Sequence, residues 1–318
     1  MNRRKRKIRK EGTQHMEPVI QLGNVTKRYG KHTVVDKVNM TIEKGHIYGL
    51  IGPNGAGKTT IMKMMAGLAL QEEGEITFFG KKENLDEKRA RMSFMIEAPF
   101  LDDTMTARQN MEYVRFVRGI ANEKRIDELL HFVGLEQVGK KPVGKFSLGM
   151  KQRLGIAMAL LAEPEVMVLD EPVNGLDPEG IVELRRMLKK LCQEQGITIL
   201  ISSHILAELA ELCSDYIIIS QGKIVEKLSA EELNSKCRQY IAMRTNNISE
   251  TATVLEEKLH TVNYKVVEGD EIHLYEMLEE LEKVSKAITD SGLIITKFVS
   301  VGEELEKYYL SKVGGSYE

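Results

Sequence analysis

The sequence predicts an α/β protein built on a parallel sheet. An antiparallel β subdomain, an inserted helical subdomain and a small α+β C-terminal domain complete it. Three observations lead there. Short apolar runs of strand character alternate with segments of helical periodicity, the pattern of a parallel sheet flanked by helices. The turn GPNGAGKT at 52–59 lies between one such strand and one such helix. All seven prolines lie at or before Pro178 and the following 140 residues have none, so the chain changes character along its length.

At 318 residues the chain has room for two domains. Val19–Met40 alternates apolar and polar residues with Gly30 as punctuation, which predicts two or three antiparallel strands. Ile47–Ile51 (IYGLI) reads as a buried strand and Thr59–Leu68 as a helix carrying Ile61, Met62, Met64, Met65 and Leu68 on its apolar positions. The three methionines are expected to be core packing. Helices are predicted over Thr106–Val117, Glu123–Val133 and Leu148–Ala162. Strands return at Val166–Leu169, Ile197–Ser202 and Tyr216–Ser220, with a helix over Glu179–Gln193. After Gly222–Lys227 the order is strand 240–244, helix 249–259, strands 264–268 and 271–275 around a Gly269-Asp270 turn, helix 277–289, strand 294–299 and a closing helix from Gly302. This βαββαβ order is ferredoxin-like. The expected domains are 1–16 as a disordered basic extension, 17–235 as the main domain with about 98–165 helical, and 236–318 as an accessory domain.

Composition narrows the function. With 42% hydrophobic and 29% charged residues the chain is expected to fold, not to remain disordered. Its longest apolar run, Leu154–Ala162, falls far short of the roughly 20 residues that span a bilayer. The opening MNRRKRKIRK is not followed by an apolar stretch, so it does not read as a signal peptide. Seven Lys/Arg lie within residues 3–10 and the net charge is −2, which leaves the remaining body acidic. An acidic body argues against direct nucleic-acid binding. Cys192, Cys213 and Cys237 share no close spacing, so neither a disulfide scaffold nor a zinc site is expected.

Residues 52–59 satisfy G-x-x-x-x-G-K-[ST] in the context the motif requires. Gly55 and Gly57 let the backbone curl so that successive N–H groups face phosphate oxygens, with the helix N-terminus behind them. Gly52, Pro53, Asn54, Ala56 and Thr60 complete the expected nucleotide-binding loop. Lys58 supplies a point charge for the β- and γ-phosphates, and the Thr59 hydroxyl is a candidate Mg²⁺ ligand. Val166–Glu171 (VMVLDE) is a buried apolar strand that ends in two carboxylates, a costly arrangement unless a cation or polar ligand meets them. Asp170 is the expected Mg²⁺ ligand, and Glu171 the group that orients the attacking water. These features define a P-loop nucleoside-triphosphate-binding protein.

Between them lies FSLGMKQR at 146–153. Ser147, Gly149, Gln152 and Arg153 match the usual LSGGQ-type signature, while Leu148 and Met150 depart from it. Alone, this segment is a helix cap. Placed 23 residues before Asp170, it makes the chain resemble the ATP-binding cassette (ABC) ATPases of membrane transporters over roughly Val19–Lys227. The resemblance implies that Tyr29 (in KRYG) stacks on adenine, that Asp177 (in NGLDP) crosses a dimer seam, and that His204 (in SSH) contacts the γ-phosphate. One position departs: Glu97, in MIEAPF, stands where the family has glutamine. It can ligate Mg²⁺ but lacks N–H donors and adds negative charge near triphosphate. With the βαββαβ tail, Glu97 makes the chain look like the bacitracin-resistance and lantibiotic-immunity branch of ABC exporters.

The resemblance further implies an Mg²⁺-dependent ATPase on the cytoplasmic face of the cell membrane, bound peripherally to a separate transmembrane permease. Two ATPase subunits, identical or paralogous, would meet head to tail. The Ser147–Met150 segment of one would then close on ATP in the Lys58 loop of the other. The competing readings are a soluble ABC-type ATPase acting on ribosomes or DNA, and a regulatory cassette that binds ATP without cutting it. The tail shows no catalytic constellation; His260 and His273 stand alone, and the reading there is a bracing appendix.

Overall fold

The computed structural model describes residues 17–237, 239–267, 270–301 and 305–314. The basic leader and the glycine of the expected Gly269-Asp270 turn lie outside them. The chain divides into two compact units, one ending at Lys227 and one beginning at Leu228.

The first unit opens with β1 (Pro18–Tyr29), β2 (His32–Glu43), β3 (Ile47–Ile51), α1 (Lys58–Ala66) and β4 (Glu73–Phe78). Next come α2 (Leu85–Arg89), β5 (Met92–Met95), α3 (Ala107–Val117), α4 (Lys124–Phe132) and α5 (Leu148–Leu160). It closes with β6 (Val166–Leu169), α6 (Pro178–Gln195), β7 (Thr198–Ser203), α7 (Leu206–Leu209), β8 (Asp215–Ser220) and β9 (Lys223–Ser229), whose end runs into the second unit.

One sheet has the order β5-β6-β7-β3-β8-β9, and its first five strands pair in parallel. Every residue of β3, β6 and β7 is buried, as expected of parallel strands covered on both faces. A second sheet, β2-β1-β4, is antiparallel. Both sheets and α1 share one apolar core, in which Met62, Met64 and Met65 are fully enclosed. Burying each such side chain contributes roughly 1.5–3 kcal/mol, so α1 and the loop that starts it are anchored from below. The helical block sits between β5 and β6 in sequence. Its α3 begins at a reciprocal cap between Thr106 and Gln109.

Five elements of this unit escaped the sequence reading: β4, α2, β5, α7 and β9. In β4 the first three residues are exposed and polar, and β5 is only four residues long. Both exist because neighbouring strands supply their hydrogen bonds, which local pattern does not reveal. The short α2 buries nothing.

The second unit holds α8 (Ala230–Cys237), β10 (Tyr240–Thr245), α9 (Ile248–Glu257), β11 (Tyr264–Val267), β12 (Glu271–Leu274), α10 (Leu281–Thr289), β13 (Ile295–Val301) and α11 (Leu305–Val313). Its sheet order, β11-β12-β10-β13, is antiparallel throughout and realises the expected βαββαβ topology. The helix α8 escaped the sequence reading, and two further details differ from expectation. The expected helix 277–289 starts at Leu281, because Met277 has φ 58° and the chain turns there before the helix begins. The expected start of the closing helix at Gly302 lies outside the described residues, and the helix is described from Leu305. His273 is not alone: its ring contacts the Glu271 carboxylate at 3.0 Å and stacks on Tyr240 at 4.0 Å.

Candidate functional site

The loop at 52–59 leaves β3 and enters α1. Its last glycine, Gly57, is the N-cap at φ 105°, and no side chain caps the helix. The first-turn amides of α1 are therefore open to an anion, which the helix dipole favours. Gly57 must also be glycine for want of space, since a Cβ there would meet the Val34 carbonyl oxygen at 2.7 Å. The loop is braced from outside. Gly222 donates its N–H to the Ala56 carbonyl, and Asp36 donates to the Gly222 carbonyl in turn.

Lys58 is 5% exposed, and its ammonium donates to the Gly52 carbonyl at 2.6 Å. It also lies 3.2 Å from Glu171 Oε1. Glu171 in turn meets His204 Nδ1 at 2.9 Å through its other oxygen. The structure thus brings three expected catalytic residues into one chain of contacts, Lys58–Glu171–His204, at the C-terminal ends of β3, β6 and β7. Glu171 has φ 48°, a left-handed backbone that turns it away from the strand line. His204 follows β7, where Ser203 Oγ accepts the Ile205 N–H at 3.0 Å and so tightens the turn.

Asp170 is 2% exposed. Ser202 Oγ donates to its Oδ1 at 2.6 Å and accepts the Glu171 N–H at 2.9 Å. Sequence reasoning missed this hydroxyl, although it stands two residues before His204. Ser202→Ala is expected to leave the buried carboxylate short of a donor, at about 1–3 kcal/mol of stability, with a matching fall in ATPase rate. Thermal unfolding and phosphate release would check both.

The group suits a nucleotide with Mg²⁺. It pairs an open helix N-terminus and a buried lysine with a hydroxyl (Thr59) and a buried carboxylate (Asp170). Among the described residues no three His, Cys, Asp or Glu gather as an all-protein metal site. Mg²⁺ commonly uses only one or two carboxylates beside phosphate oxygens.

Four expected residues stand apart from that group. Glu97 is 66% exposed in side chain, with φ 68°, and its Oε1 lies 2.6 Å from Lys63 Nζ on α1. That partner was not foreseen. Tyr29 ends β1 as an exposed ring, with Lys27 Nζ 5.1 Å from its centre. Ser147 and Asp177 are both helix N-caps, accepting from Met150 N–H at 3.3 Å and Gly180 N–H at 3.0 Å. With Gly149 and Leu176 they line one cavity, which no residue of 52–60 enters.

A loop of this kind, two strand-end carboxylates and a capped signature helix on this topology define an ATP-binding cassette. The ABC transporter family matches residues 35–174. The chain is 39% identical to the bacitracin transport ATP-binding protein BcrA of Enterococcus faecalis, over 94% of this chain and 98% of that one. It is 46% identical to the lantibiotic transport ATP-binding protein SrtF of Streptococcus pyogenes, over 65% of this chain and 89% of that one. Among solved structures, a bacterial ABC transporter cassette described as dimeric aligns with TM-score 0.60 and 28% identity, covering 66% of this chain and 98% of that one. The chain belongs to the family of ABC transporter ATP-binding proteins.

Proposed function

We propose that this chain is the ATP-hydrolysing subunit of an exporter for peptide antibiotics of the bacitracin or lantibiotic class. The observation that carries it is the position of Glu171 between Lys58 and His204 at the mouth of the phosphate loop. The full-length likeness to a bacitracin transport ATP-binding protein supports the cargo class.

Lys58 offers its ammonium to the β- and γ-phosphates in place of the Glu171 carboxylate. Released from that ion pair, Glu171 accepts a hydrogen bond from water and aims it at the γ-phosphorus, while His204 keeps the carboxylate in place. The first-turn amides, with Gly55 and Gly57 shaping the loop, hold the phosphates. Thr59 and Asp170, with Glu97 as a third candidate, would hold Mg²⁺, which would neutralise phosphate charge when bound. Tyr29 stacks on adenine. Ser147 and Gly149, with Leu148 and Met150 around them, meet the γ-phosphate of a second subunit, and Asp177 crosses the same seam.

The transport step belongs to a separate permease. Among the described residues no helix is long and apolar enough to cross a membrane. An apolar surface lies just beyond Glu97: Phe100 is 87% exposed, and Leu68, Tyr113 and Val117 are exposed around the same groove. Large exposed apolar patches mark interaction sites, and we assign this one to the cytoplasmic loops of the permease. The subunit thus works peripherally, on the cytoplasmic side. Phe100→Asp is expected to leave ATP hydrolysis by the isolated chain unchanged and to abolish recovery with a multi-span protein from solubilised membranes. Recovery of the unaltered chain with ribosomes instead would contradict the proposal.

A further inference from the structure

Glu97 places a negative charge beside a site built for a polyanion. It follows β5 by two residues, and β5 is locked to the carboxylate strand, where Asp170 donates its N–H to the Met95 carbonyl at 2.8 Å. A bare carboxylate here would repel triphosphate. The structure shows Glu97 otherwise engaged. Lys63 Nζ reaches it at 2.6 Å across 34 residues of chain. Lys63 lies one helical turn after Thr59, at i+4, so it projects from the same face of α1 as the candidate Mg²⁺ hydroxyl.

We propose that Lys63 is a positioning residue for Glu97, a counter-charge that holds the carboxylate and cancels its repulsion of bound triphosphate. This rests on the ATPase reading above. The pair is net neutral and presents an acceptor oxygen together with N–H donors, a combination no lone carboxylate offers. The left-handed backbone of Glu97 is consistent with a side chain placed by its partner and not by the strand.

Binding of Mg²⁺ with a fluorescent, non-hydrolysable ATP analogue tests this without reading turnover. Four variants are compared with the unaltered chain: Lys63→Met, Lys63→Arg, Glu97→Gln, and Lys63→Met combined with Glu97→Gln. Lys63→Met should weaken binding about fivefold, the upper range for an exposed charge pair. Lys63→Arg should restore it, and once Glu97→Gln is present Lys63→Met should have no further effect. An equal loss in both backgrounds, or no loss in either, overturns the assignment of Lys63. If the unaltered chain fails to bind the analogue, the ATPase reading falls, and this inference with it.

Discussion

Glu171→Gln is expected to lower ATP hydrolysis by roughly 10²–10⁴-fold, the usual contribution of a positioned general base, while nucleotide still binds. The substitution keeps the shape and removes the charge. In the structure that charge has two partners, Lys58 at 3.2 Å and His204 at 2.9 Å. Losing it removes the basic carboxylate that would polarise the attacking water and leaves only a neutral amide oxygen as acceptor, yet it also frees Lys58 from a competing anion. ATP should therefore bind at least as tightly as to the unaltered chain. Phosphate release and a nucleotide titration on the same preparation separate the two effects. Normal turnover would remove Glu171 from the role proposed for it.

Gly57→Ala is expected to cost about 2–4 kcal/mol of stability and to weaken nucleotide binding by more than tenfold. Two penalties combine there. The φ of 105° lies in a region that a side chain rarely adopts, and the new Cβ would press on the Val34 carbonyl oxygen at 2.7 Å. Relief requires moving either the loop or β2, and moving the loop turns the amides away from the phosphates. Gly55→Ala is the control. Its φ of 80° is also left-handed but nothing lies within 4 Å of a Cβ, so only backbone strain of about 1 kcal/mol is expected. Thermal unfolding compares them directly.

Much of the site was legible because its chemistry is local. The apolar run IYGLI, the glycines after it and the methionine spacing after those mark β3, the loop and α1 within a residue or two. The alternation of apolar strands with helices likewise gave the parallel sheet, and the tail's order gave its topology. What escaped is what depends on distant partners. β4 and β5 are strands because β1 and β6 lie beside them. Ser202 reads as one more strand residue until the fold sets Asp170 next to it. Nothing local singles out Lys63, and no spacing rule links it to Glu97. The start of α10 failed for a different reason: the apolar pattern around Met277 and Leu278 continues through a turn that a positive φ imposes.

Ser147 and Asp177 cap helices and line a cavity apart from the phosphate loop of their own chain. If they serve the nucleotide, they serve it on a neighbouring subunit. The direct measurement is the mass in solution of the Glu171→Gln chain, purified with its permease and also alone, with and without saturating Mg-ATP. Paired ATPase subunits that appear with nucleotide and separate on its removal are the predicted result. Subunits that bind ATP yet remain single in both preparations would contradict the account.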